Sequence, residues 1–195
     1  LNRALRLARV EHEEGVRATY FINPHCEFYN FLERSQLDIV RELLTLGHAV
    51  GLHFDGMFYT TRDEAELEAQ LNQEVDLLER ALGHRPTAFS FHNPSTFHLS
   101  CEKERYAGMM NCYSSRFKTE ISYCSDSNGY WRFRRLHDVL EQASDPFLQV
   151  LTHPGWWQDE PMTPRQRVFH CVYGRAAATI RFFDDAIEAG GRKNP

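Results

Sequence analysis

From one end to the other, the chain alternates short extended runs with longer stretches of helical periodicity, and this restricts it to an α/β architecture. Residues 2–14 read as a helix, with Ala4, Leu5, Leu7, Ala8 and Val10 apolar and Gly15 as its stop. The aromatic and β-branched run 18–22 reads as a strand. A second helix is expected from a capping box at Ser35 and Asp38, with Leu37, Val40, Leu43 and Leu44 apolar and Gly47 past its end. Residues 48–54 form the next strand. A third helix is expected to start at a box of Thr61 and Glu64, to carry Leu67, Leu71, Val75, Leu78 and Leu82 on one stripe, and to stop at Gly83. Residues 87–92 give a third strand, closed by Asn93 and Pro94.

Residues 100–135 carry a weaker pattern: a short helix near 101–108, then brief strands near 111–114 and 121–124. A helix near 136–143 precedes a strand over 147–152. The last helix is expected to have Thr163 as cap, Pro164 at its first position and Gln166 third, and to run through Val168, Val172, Ile180, Phe183 and Ile187 to Gly190 and Gly191. Strands that alternate with helices in this way form parallel βαβ units, in a doubly wound sheet or a barrel, with the chemistry at the C-terminal strand ends.

The 195 residues suit one domain over 1–195, and a composition 42% hydrophobic and 25% charged is that of a globular chain. A net charge of −5 leaves no basic footprint for nucleic acid, and no apolar run is long enough to span a membrane. Cys26, Cys101, Cys112, Cys124 and Cys171 are odd in number, scattered, and form no C-x-x-C pair. They suggest neither a disulfide framework nor a zinc knuckle, and a cytoplasmic location is the simplest expectation.

The informative fact is positional. His53 falls at the C-terminal end of the second strand with Asp55 just beyond it, His92 ends the third, and His153 follows the strand 147–152. Asp126 lies in the tight loop Ser125-Asp-Ser-Asn-Gly129. All five are expected to converge on one face. His53 and Asp55, two apart in extended backbone, point to the same side. Imidazole and carboxylate are ordinary ligands for zinc and similar divalent ions. Such a set suits ester or amide hydrolysis, in which a metal polarises the carbonyl and side chains move the protons. Plainer readings stand beside these. A histidine at a strand end is often structural, and Asp126 alone reads as a turn former. Trp156 and Trp157 serve as loop anchors or as sugar-stacking platforms. Arg132 and Arg134 read as exposed arginines or as contacts to an acidic sugar, and His48 as a packing residue.

At these residues the chain resembles a known family. Ala18-Thr-Tyr-Phe21 and Gly47-His-Ala-Val-Gly-Leu-His53 are similar to the Ala-Thr-Phe-Phe and Gly-His-Glu-Ile-Gly-x-His-Thr segments of nodulation-type polysaccharide deacetylases. Leu151-Thr-His153 is similar to their late Leu-x-His motif. The segments 51–55, 90–94, 123–132 and 153–157 look like a divergent branch associated with bacterial surface-polysaccharide genes. The resemblance covers about residues 1–160. It implies a distorted (β/α)7-type barrel, a divalent metal that is usually zinc, and hydrolysis of acetyl groups on a saccharide. His53 matches the first metal histidine, and His153 the late histidine that acts as general acid or supports the leaving group.

The departures from that pattern are specific. Met57 stands where the family has its second metal histidine, so His92 or Asp55 is the candidate replacement. His92 itself stands where the family has an arginine. The family's paired aspartates end a strand that precedes the first helix, so the barrel is expected to be N-terminally incomplete in these 195 residues. Two functions follow as expectations. One is a metal-dependent carbohydrate deacetylase with catalytic His153 and Asp126, metal ligands His53, His92 and Asp55, and an acetylated saccharide held by Trp156, Trp157 and Arg132. The other is a non-catalytic glycan-binding or scaffold protein on a degenerate barrel. A glycosidase using Asp55 and Asp126 ranks behind both.

Overall fold

The computed structural model describes residues 1–193. Seven strands and seven helices follow one another as α1 (Asn2–Glu13), β1 (Thr19–Ile22), α2 (Arg34–Thr45), β2 (Ala49–Asp55), α3 (Glu64–Leu82), β3 (Ala88–His92), α4 (Thr96–Ser100), β4 (Arg105–Tyr106), β5 (Met109–Asn111), α5 (Ser115–Thr119), β6 (Ser122–Ser125), α6 (Leu136–Gln142), β7 (Leu148–Leu151) and α7 (Pro164–Ala189). Five strands form one sheet in the order β1-β2-β3-β5-β4, parallel except for the β4–β5 hairpin. Strands β6 and β7 form a separate parallel pair. The chain is thus a mixed α/β protein built on parallel strands. Among the described residues no strand pairing joins the two sheets.

The core lies on the outer face of the larger sheet. Val50, Leu52 and Phe54 alternate along β2 and are buried, as are Phe89 and Phe91 on β3. Against them α3 lays Leu67, Leu71, Val75 and Leu78, all fully buried and spaced for one helical stripe. A smaller cluster joins Ala4 and Ala8 of α1 to Leu43 of α2 and Tyr20 of β1. His48 belongs to this packing: its Nδ1 accepts from Ala18 N and its Nε2 donates to Ala8 O. No helix is long and apolar enough to cross a membrane.

Local chemistry explains where the helices differ from expectation. The Thr163 and Gln166 capping box of α7 forms as read. Helix α3 instead starts at Asp63, whose carboxylate accepts from Glu66 N, while Thr61 donates to Gln70. A carboxylate one residue before the helix caps it better than a hydroxyl three residues before it. Ser35 and Asp38 form no box; Asp38 pairs with Arg41 on the surface of α2. The helix expected near 101–108 is absent. Residues 101–104 are extended or bent, and Ala107 and Gly108, both at positive φ, turn the chain into the β4–β5 hairpin. The apolar positions of α7 remain exposed at Val168, Val172, Ile180 and Phe183, because this helix packs chiefly on the turn at 154–156 rather than on a sheet.

The opposite face of β2 carries Gly51, His53 and Asp55. A β-carbon at Gly51 would lie 2.6 Å from the Phe21 ring and 2.9 Å from the carbonyl oxygen of Ala88. The strand pair closes only around a glycine there. Gly51→Ala is therefore expected to lower stability by about 1–3 kcal/mol, read as a lower urea midpoint at unchanged slope. Gly155→Ala, which meets nothing within 4 Å, should stay within about 0.5 kcal/mol of the parent.

Candidate functional site

The C-terminal ends of the parallel strands carry two side-chain pairs. The first comes from the larger sheet. β2 and β3 are in a register that sets His53 beside Ser90 and Asp55 beside His92. His53 Nε2 and His92 Nδ1 face each other at 3.2 Å, with the rings edge to face. Beyond them, Asn93 approaches His92 Nε2 at 3.2 Å. Asn93 sits at φ 47, a left-handed conformation that asparagine tolerates and that aims its amide back at the ring. Whichever way protons are placed along this chain, His53 Nδ1 is buried without a partner. Burial, followed by the neighbouring imidazoles of His92 and His153, holds the His53 pKa down to about 4. The ring is therefore neutral at physiological pH.

The second pair comes from the smaller sheet. Asp126 follows β6 and His153 follows β7, whose ends are paired at Ser125 and Leu151. The Asp126 carboxylate is 4% exposed. It accepts from His153 Nδ1 at 2.7 Å, from the His153 backbone N–H at 3.0 and 3.1 Å, and from Trp157 Nε1 at 3.1 Å. Its role is therefore not that of a turn former. The loop is tied instead by Ser125 Oγ, which accepts from Ser127 N, while the carboxylate reaches across to the neighbouring strand end. An acceptor-only carboxylate fixes the proton on His153 Nδ1 and leaves Nε2 as the free nitrogen.

His53 and His153 both line a cavity of 2560 Å³ that separates the two sheets and is bordered by α7. One member of each pair thus faces the same space. Asp55 does not join the histidines: its Oδ1 accepts from Met57 N at 3.0 Å, and the side chain is buried. Trp157 is tethered through its indole N–H to Asp126, and Trp156 lies 6.5 Å from His153, ring to ring. Arg132 lines the cavity, with Tyr130 OH accepting from its Nη2 at 3.3 Å. Arg134 turns away to pair with Asp145 at 2.7 Å. Sequence reading missed Asn93, whose signal was an Asn-Pro step after a strand, and Arg167, which no pattern singled out.

Two imidazole nitrogens 3.2 Å apart suit neighbouring ligands of one divalent ion, since donors held at about 2.1 Å with tetrahedral angles lie about 3.4 Å apart. A His53 ring held neutral by burial suits the same role, since a ligand nitrogen must be unprotonated. These two are the donors in place, and among the described residues no third His, Cys, Asp or Glu ligand atom lies within 4.8 Å of both. Among the described residues the one group of three mutually close donors is His137, Asp138 and Glu141, exposed on α6.

The loops after β1 and β2 are tied to α3 through a buried carboxylate. Glu74 accepts from His25 Nε2 and from Tyr59 OH, and His25 stacks on Phe58 with ring centroids 3.5 Å apart.

The depressed His53 pKa carries a sign that can be checked. Above its ordinary value near 6.5, neither the folded nor the unfolded state protonates the ring. Between about 6.5 and about 4 only the unfolded state binds the proton, so stability falls as pH drops through that window. His98, also lowered by burial, acts in the same direction. In metal-free protein the urea midpoint should fall from pH 7 to pH 4.5. His53→Gln should remove part of that fall, at most on the order of 3 kcal/mol.

No family model matches the chain, and no curated protein matches it. Among solved structures the chain is similar to a family 4 acetyl xylan esterase from Clostridium thermocellum, described in complex with a cobalt ion. That likeness covers 88% of this chain and 78% of the other, at 14% identity and a TM-score of 0.42. At that identity and score it carries no functional information.

Proposed function

We propose that the chain is a hydrolase that removes acetyl groups from a saccharide, on a frame related to the distorted (β/α)7 barrel of the polysaccharide deacetylases. The observation that carries this reading is the buried Asp126 carboxylate clamping His153 Nδ1 on the cavity that His53 also lines. The ordered resemblance of residues 18–21, 47–53 and 151–153 to the deacetylase motifs supports it.

The chain's own residues have separable tasks. Asp126 orients the imidazole and stabilises its protonated form, which leaves the Nε2 proton of His153 to be given to the leaving atom. In ester hydrolysis water adds to the acetyl carbon, the acyl C–O bond breaks and the sugar oxygen takes the His153 proton; one proton of the water restores His153 and the other passes to solvent, yielding acetate and a free hydroxyl. An amide follows the same course with nitrogen leaving. The Trp157 tether keeps the carboxylate from following solvent. His53 Nε2 and His92 Nδ1 are the atoms that would hold a divalent ion, zinc being the usual one among the proteins the sequence resembles. When bound, such an ion supplies Lewis-acid polarisation of the acyl carbonyl.

A second reading has its own support. Asp55, the expected third ligand, is committed to the Met57 backbone, so the imidazole pair lacks the third protein donor usual in catalytic zinc sites. A glycan-binding protein on the same frame would keep the cavity without the metal.

The two readings separate on acetate release. With zinc or cobalt added, the parent chain should release acetate from acetylated oligosaccharides, and a chelator should stop it. His153→Ala should reduce the rate by about 10²–10⁴-fold, and Asp126→Asn by a comparable factor in kcat with little change in KM, because it disturbs the tautomer and not the cavity. Glycan binding that survives chelation with no acetate released by the metal-loaded chain would establish the second reading.

A further inference from the structure

Beside His153 the cavity wall carries positive charge that no carboxylate neutralises. Arg167, in the first turn of α7, lays its guanidinium over the Trp156 ring at 5.4 Å. The loop leaves room for it at Gly129, where an ideal β-carbon would lie 3.4 Å from Arg167 Nη1 and 3.5 Å from the Trp156 ring, and where φ is +83°. Two donors of this stack, Arg167 Nε and Trp156 Nε1, are buried with no hydrogen-bond partner. Arg132 lines the same cavity, and its guanidinium lies 5.6 Å from the Tyr130 ring. Among the described residues neither Arg132 nor Arg167 makes an ion pair, whereas Arg175, on the same helix and cavity, is neutralised by Glu33, and Arg134 by Asp145.

Buried donors left without acceptors are costly, and each calls for an acceptor that the chain itself does not supply. The chemistry here is selective. A guanidinium held flat by an indole presents a planar fork that matches a carboxylate in two parallel hydrogen bonds. Its desolvated side strengthens the attraction. We infer that Arg167, stacked on Trp156 and assisted by Arg132, forms a subsite for an anionic group of the saccharide, and that the substrate is a sugar bearing a carboxylate near its acetylated position. This inference rests on the proposed saccharide reading and specifies its substrate class. It assigns Arg167 and Trp156 to binding and leaves proton transfer to His153.

The test compares an acetylated hexuronic-acid oligosaccharide, its carboxyl-reduced neutral counterpart with the same linkages and acetyl groups, and a sugar phosphate, by calorimetry and by acetate release. The carboxylated ligand should bind the parent chain about tenfold or more tightly than the neutral one. Arg167→Gln should abolish the preference, Arg167→Lys should restore part of it, and Arg132→Gln should reduce it. In the parent chain the preference should also shrink between about 0.05 M and about 0.5 M salt, a reading that needs no variant to fold. Equal binding of carboxylated and neutral ligands, binding of neither, or a preference that survives Arg167→Gln overturns the inference. Tighter binding of the sugar phosphate overturns the assignment to a carboxylate. Charge-selective binding with no acetate released by the metal-loaded chain upholds the subsite and refutes the hydrolase reading; equal acetate release from both oligosaccharides does the reverse.

Discussion

Everything at the candidate site depends on the packing of α3 against the outer face of β2 and β3. Leu67, Leu71, Val75 and Leu78 meet Val50, Leu52, Phe54, Phe89 and Phe91, and each of these side chains is almost wholly removed from water. A strand has only two faces, and successive residues alternate between them. Once the apolar set of β2 is committed to α3, Gly51, His53 and Asp55 must face the other way. A slip of one residue in register would bury the histidine among leucines and expose the core, so hydrophobic burial also fixes the imidazole's direction. Gly51 completes the constraint, because its missing side chain lets Phe21 and the Ala88 carbonyl close in beside it.

Polar groups at the strand ends then divide by how they are satisfied. Asp126 is buried and fully occupied by His153 and Trp157, an arrangement that fixes a tautomer and resists rotation. Glu74 is buried too: its Oε1 joins His25 and Tyr59, from the loops after β1 and β2, to α3, while its Oε2 has no partner. His53, His98, Tyr106 and the stack of Trp156 and Arg167 also have buried polar atoms without a partner. Satisfied groups hold the site's shape; of the others, the donors of the Trp156 and Arg167 stack are where the proposed anion would bind. The proposed cation and anion positions are chemically opposite, imidazoles at one and a guanidinium at the other, and a substrate with both an acyl oxygen and a carboxylate would engage both.

The cavity between the sheets is the least determined part of the fold. Helix α7 borders it with one side while exposing Val172, Tyr173, Ile180 and Phe183 on another. Its apolar spacing is as regular as that of α3, yet only α3 finds a sheet to cover. Periodicity specifies a helix with an apolar stripe, and the stripe is buried only where a complementary surface exists.

Much of this was legible in the residues. The alternation of strand and helix, the α/β class, the placement of His53, His92, Asp126 and His153 at C-terminal strand ends, and the cap of α7 all follow from local patterns of two or three residues' reach. What failed did so for local reasons as well: Asp63 outcompeted Thr61 as a cap, and Ala107 and Gly108 turned a supposed helix into a hairpin. Tertiary structure alone decided which of the convergent residues meet. Asp126 and His153 are 27 residues apart, and His53 and His92 are 39 apart; only strand pairing closes those distances. Asp55 Oδ1 accepts from its own loop, and Arg167 lies beside Trp156 where a glycine leaves space. Sequence periodicity determines which face a side chain takes, but the partner it finds there depends on the register and approach of elements remote along the chain.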